Sequence, residues 1–123
     1  MSASNVQFFL TMRNQIKLYH WQTGLYSRHK GTDGVIESLD GNIDKYVEVY
    51  MGKYGRPKMN SRTGIVQVKN FTEKNAVAFV KACIQELIIE IPKGLKKIDT
   101  DLLNIRDEML ADLNQLLYLF TLE

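Results

Sequence analysis

The chain predicts an all-α fold, a bundle of four helices with one long crossover between the second and the third. Three observations predict it. Apolar residues recur at spacings of three and four through four separate stretches, the pattern of helices that each bury one stripe. Capping and stop residues punctuate those stretches. The first and last connections are short, whereas the middle one is about twenty residues long.

The first helix, about residues 4–22, carries Phe9, Met12, Ile16 and Tyr19 at 3,4,3 spacing, with Ser4 as the expected N-cap and Gly24 as the stop. The second, about 28–51, follows Ser27 as a cap and carries Ile36, Leu39, Ile43, Tyr46 and Tyr50. The third, about 72–91, opens at Thr72, carries Ala76, Val80, Cys83, Leu87 and Ile91, and is stopped by Pro92 and Gly94. The last, about 99–121, opens at Asp99 and carries Leu102, Leu103, Met109, Leu110, Leu113, Leu116 and Leu117. Only Gly64 to Lys69 hints at strand alternation, and it is too short and isolated to make a sheet.

Short turns make helices one and two, and three and four, antiparallel neighbours. Helices of this length are ~30 Å long at ~1.5 Å per residue. An extended chain covers ~3.3 Å per residue, so the segment from Gly52 to Phe71 is long enough to cross the bundle. Four helices with one such crossover form the ferritin-like layout. The alternative is a loose loop within an up-down-up-down bundle.

Composition bounds the rest. The chain is one domain, residues 1–123, with 45% apolar and 24% charged residues. A net charge of +2 argues little for nucleic acid or membrane surfaces. The single cysteine, Cys83, excludes an internal disulfide framework and fits a reducing compartment. No apolar run reaches the ~18 residues that span a bilayer, and the first charged side chain, Arg13, does not fit a signal-peptide layout. The expectation is a cytoplasmic, non-secreted protein without a membrane role.

One constellation carries chemistry. His20, His29, Asp33, Asp44 and Glu48 are two imidazoles and three carboxylates, the ligand types that iron and manganese take. His29/Asp33 and Asp44/Glu48 are i,i+4 pairs, so each stands on one helix face. On a wheel at ~100° per residue, His29, Asp33, Glu37, Asp40, Asp44 and Glu48 share one arc of about a quarter turn. Gly34 and Gly41 border that arc, where another backbone has room to approach. The competing reading is a solvated acidic stripe with bystander histidines. An intrasubunit di-iron site needs Glu-x-x-His on two helices, and neither histidine has a Glu three residues before it. A metal site must therefore be assembled differently, for example from two subunits.

The stretch from Tyr19 to Glu48, YHWQTGLYSRHKGTDGVIESLDGNIDKYVE, resembles the ferroxidase segment of the Dps family, the mini-ferritins of the ferritin-like superfamily. His20-Trp21 is similar to that family's His-Trp at the end of the first helix. His29 and Asp33, then Asp44 and Glu48, follow its spacing along the second. The last helix also resembles the family's aromatic and leucine-rich final helix. An outlying ferritin-like branch of the kind associated with large DNA viruses fits the resemblance as well. The resemblance implies oxidation of ferrous to ferric iron, with dioxygen or peroxide, at a site shared between two-fold related subunits. His20 and His29 would be imidazole ligands and Asp33 a ligand or a partner orienting one. Asp44 and Glu48 would come from the second subunit, and Trp21 would pack near the metals. It implies at least a homodimer, with higher oligomers as the storage form, and iron as the metal, with manganese or zinc as alternatives.

A reading from a different class is a non-catalytic helical structural or nucleic-acid-binding module with a vestigial metal site. Its candidate contacts are Lys53, Arg56, Lys58 and Arg62 in the crossover, where clustered cations suit phosphate. Cys83 among Val80, Ile84 and Leu87 reads as a small core residue. No Gly-rich phosphate loop, zinc-type cysteine spacing or serine elbow is present.

Overall fold

A computed structural model describes residues 2–122 of the chain. The described residues form four α-helices: α1 (Ser2–Gln22), α2 (Tyr26–Tyr54), α3 (Glu73–Ile89) and α4 (Thr100–Leu119), with a 3-10 turn over Ile91–Gly94. The fold is all-α, and no strand occurs among the described residues, Gly64 to Lys69 included.

The apolar stripes are the core. Phe9, Met12, Ile16 and Tyr19 of α1 are buried, facing Ile36, Leu39, Tyr46 and Tyr50 of α2. Ala76, Val80, Cys83 and Leu87 of α3 and Leu102, Met109, Leu113 and Leu116 of α4 complete it. Each fully buried Leu, Met or Phe contributes roughly 1.5–3 kcal/mol relative to an exposed one. Burial also draws in residues off the stripes, Val35 and Thr32 on α2 and Ile105 on α4.

Helix ends depart from the sequence expectation in instructive ways. Ser4 is not a cap, because α1 already includes Ser2. Ser27 lies inside α2, whose N-cap position is Leu25 without a side-chain cap. The Ser27 hydroxyl instead donates to the Leu122 carbonyl at 3.1 Å, joining the start of α2 to the end of the chain. Gly24 does not supply a left-handed stop. That conformation belongs to Gly55 (φ 89°), whose N–H closes α2 on Met51. Thr72 does cap α3, in a reciprocal box with Asn75. Asp99 sits at the N-cap position of α4, yet its carboxylate accepts from the Lys96 N–H at 2.8 Å instead of from its own helix.

The segment between α2 and α3 is stitched along α1. Gln7 Nε2 donates to the carbonyls of Arg62 and Ile65 at 2.9 and 2.7 Å. The Gln15 amide exchanges two hydrogen bonds with the Lys69 backbone, both 2.8 Å, and Gln22 reaches Asn70 at 2.8 Å. The segment therefore runs in the direction of α1 and delivers Glu73 to the end where α1 stops and α2 begins. There Glu73 meets Tyr19, Thr23 and Arg28.

Candidate metal centre

His20 lies near the end of α1 and His29 one turn into α2, so the short turn Thr23–Leu25 folds them together. Their rings stack with centroids 4.0 Å apart and planes 16° apart. His20 is buried, 6% exposed. Its Nδ1 is 2.8 Å from Thr32 Oγ1. The single hydroxyl hydrogen of Thr32 is directed at the Arg28 carbonyl, 2.7 Å away, with His29 O at 3.1 Å. The oxygen therefore offers His20 only a lone pair, and Nδ1 must be the donor. His29 Nδ1 is 2.8 Å from the His20 carbonyl, which can only accept. Both imidazoles are thus anchored through Nδ1, which leaves Nε2 as the nitrogen available to a metal. An oxygen acceptor on the far nitrogen is the arrangement that fixes a metal-ligating histidine.

Burial, and next the neighbouring His29, lowers the pKa of His20 below its ordinary 6.5. The ring is therefore neutral at pH 7, the form that can ligate. Asp33 Oδ1 lies 3.9 Å from His20 Nε2 and is largely exposed. Three of the five expected ligands are thus brought to one place.

Beneath them lies a network that sequence reading did not find. Arg28 donates to the Tyr19 hydroxyl (2.9 Å), the Glu73 carbonyl (2.8 Å) and the Phe120 carbonyl (3.3 Å), with its guanidinium 4.5 Å over the Phe120 ring. Glu73 also accepts from Tyr19 and from Thr23. Burial pushes its carboxyl up, but the hydrogen bonds from Tyr19 and Thr23 outweigh it and the pKa is lowered. One residue, Arg28, therefore ties α2 to α1, α3 and the end of α4 directly under the histidine pair. The only sequence signal was an arginine next to His29, which is no signal without the helix register.

Asp44 and Glu48 stand elsewhere. At ~1.5 Å per residue they lie about 22 and 28 Å along α2 from His29. Both are exposed, and a hydrogen bond with Asp44, together with its charge, raises the pKa of Glu48. Two carboxylates that share a site in this way are short of a cation. Among the described residues of one chain, no group of three or more His, Cys, Asp or Glu is placed to hold a metal ion.

The remaining candidates fall around this frame. Trp21 is 67% exposed, with Lys17 Nζ 5.3 Å over its ring. Asp40 is held by Arg13 at 2.9 Å, whereas Asp33 and Glu37 stay exposed. A Cβ at Gly34 or Gly41 would meet nothing within 4 Å, so packing within the chain does not require glycine there; at Gly31 it would meet Leu119 Cβ at 3.3 Å. In the basic segment, Lys53 is ion-paired with the buried Asp99 (2.9 Å) and with Asp101. Arg56, Lys58 and Arg62 are exposed. No helix among the described residues is long and apolar enough to cross a membrane.

Neither the curated proteins nor the solved structures contain a match to the chain. A family model does match, over residues 20–120, which takes in the histidine pair, the acidic face of α2, the network under Arg28 apart from Tyr19, and all of α3 and α4; the chain belongs to that family, DUF5856, a family of unknown function.

Proposed function

We propose that the chain is a Dps-like iron-binding protein that oxidises ferrous to ferric iron at a site completed by a second subunit. The observation that carries the reading is the histidine pair. Two imidazoles are held with Nδ1 anchored and Nε2 turned free of it, beside a carboxylate at 3.9 Å. A lone pair lies in the plane of its ring. With planes only 16° apart and centroids at 4.0 Å, an ion in the plane of one ring is out of the plane of the other. The pair would therefore hold one ion on each ring more readily than a single ion between them.

The missing charge has a source. His29 and Glu48, Asp33 and Asp44, and Glu37 and Asp40 are each symmetric about one point, between Ser38 and Leu39. Two copies of α2 laid antiparallel about a dyad at that point bring the histidine end of each to the acid pair of the other. Gly34 and Gly41 flank the dyad and leave room for close approach. The path of the segment stitched along α1 likewise supports the ferritin-like layout with one long crossover.

In this site the imidazoles and carboxylates of the two chains bind ferrous iron as substrate. The added negative charge of Asp44 and Glu48 favours the ferric state. Each ferrous ion gives up one electron. Hydrogen peroxide takes two electrons and two protons and leaves as two waters; dioxygen takes two electrons and two protons and leaves as hydrogen peroxide.

An anaerobic ferrous titration tests the reading, with His29→Ala and Glu48→Ala beside the parent chain. Saturation at one or two irons per chain is expected, lost in both variants, with a dimer in sedimentation. Parent binding no stronger than that of the variants, or a monomer at micromolar concentration, refutes it.

A further inference from the structure

The edge of the bundle between α1 and α3 is open: these two helices pack far less closely than α2 and α4. The strap of residues 62–71 roofs part of this edge and leaves a groove of about 530 Å³, within the roughly 300–1,000 Å³ of small-molecule sites. Its charged lining is one-sided. Arg62 and Lys69 enter it and no acid does, although the chain carries 14 acids against 16 bases. Neither cation has an ion-pair partner among the described residues. The apolar wall is Phe71 and Phe79, half-buried rings with centroids 5.3 Å apart, together with the exposed Ile65.

The groove is preformed. The Gln7 hydrogen bonds to the carbonyls of Arg62 and Ile65, and the paired Gln15 bonds to Lys69, fix the strap at both ends of the lining. Gln7 and Gln15 are eight residues apart on α1, so the two cations are anchored about 12 Å apart along the helix axis. A ligand that enters has little chain to order, which is where binding energy is otherwise lost.

We propose that this groove binds a ring-bearing organic phosphate of mononucleotide size, with its ring against Phe71 and Phe79 and its phosphate on Arg62 or Lys69. An inorganic anion would engage the cations and leave the phenyl rings in water. A purely apolar ligand would strand two unpaired cations beside it. A planar ring joined to a phosphate uses both walls, through stacking and charge-assisted hydrogen bonds.

The test uses AMP as the probe, titrated calorimetrically into the full chain at low salt with EDTA present, so that its outcome is independent of the metal reading. Adenosine, orthophosphate and the variants Arg62→Gln, Lys69→Gln and Phe79→Leu are run in parallel. Saturable one-to-one AMP binding is expected, weakened tenfold or more in Phe79→Leu and in at least one of the exposed-cation variants. Adenosine and orthophosphate should each bind at least tenfold more weakly than AMP. The two cation variants alter only exposed side chains and keep the test valid if Phe79→Leu does not fold. The proposal is overturned by no saturable AMP binding at millimolar concentration, by binding unchanged in both cation variants, or by orthophosphate binding as tightly as AMP.

Discussion

Replacing Thr32 by valine separates the hydroxyl from everything else that residue does. Valine keeps the β-branch and nearly the volume, so helix propensity and packing change little. Thr32 is fully buried, and its oxygen is the acceptor for His20 Nδ1 at 2.8 Å. The Arg28 carbonyl is a helix carbonyl, which takes the backbone N–H at i+4 and does not depend on the hydroxyl. The cost therefore falls on one buried N–H, about 1–3 kcal/mol for a donor left without a partner. For a chain of this size that is a fall in Tm of roughly 3–6 °C per kcal/mol. Loosening the anchor of one ligating ring should also weaken ferrous binding about 10- to 100-fold. Thr32→Ser keeps the oxygen and should retain most of both. Urea unfolding at pH 7.5 gives the stability. Imidazole nitrogen shifts in NMR report the tautomer directly, with the hydrogen on Nδ1 of both rings in the parent chain. A valine variant within 0.5 kcal/mol of the parent, with the His20 tautomer unchanged, would mean that Thr32 is not the acceptor and that the ring is positioned by packing alone.

Two further expectations follow from the same structure. A Cβ at Gly34 or Gly41 meets open space, so Gly34→Ala and Gly41→Ala should each stabilise the isolated chain by about 0.5–1 kcal/mol in urea unfolding. Gly34→Leu and Gly41→Leu should instead split an α2-paired dimer in sedimentation; unchanged association would remove that interface. The buried Asp99 has its carboxyl lowered to about 2, first by the Tyr54 hydroxyl, then by the Lys96 N–H and Lys53. A depressed carboxyl contributes stability that is present above its ordinary 3.8 and lost as the pH falls from there to about 2. Asp99→Asn should flatten that limb of a stability–pH curve, and a curve of the same slope in both proteins would count against it.

The fold was legible because its signal is local and periodic. The stripe Phe9, Met12, Ile16, Tyr19 needs only helix geometry to be read as one buried face, and all four residues are buried. Thr72 and Asn75 cap α3 through residues three apart, which a sequence displays. Ser27 shows where local reading fails. Its hydroxyl is captured by a carbonyl 95 positions away, a competitor that no window around residue 27 contains. The candidate site divides in the same way. The i,i+4 pairs on α2 and the two histidines were visible as spacing. Thr32, Arg28 and Glu73 were not, because each acts across an interface whose register is set by the whole bundle.

His20 and the Asp44–Glu48 pair are opposite electrostatic problems, and their opposition is the physical case for a shared ion. Burial and a neighbouring imidazole drive His20 toward its neutral form, so that end of α2 supplies lone pairs without charge. The other end supplies charge without a counter-ion, and Glu48 meets the repulsion by holding a proton more tightly than an isolated carboxyl does. In the proposed dimer, a divalent cation between two antiparallel copies would relieve both ends at once, held by the Nε2 atoms of one and the carboxylates of the other. Metal binding should therefore release protons, in an amount that falls as the pH rises above the raised pKa of Glu48. It should also weaken as the pH falls through the lowered pKa of His20 and the ring is driven to its charged form. Calorimetric titration in buffers of different ionisation enthalpy measures that release. Proton release no greater in the parent chain than in Glu48→Gln would show that Glu48 is not among the ligands.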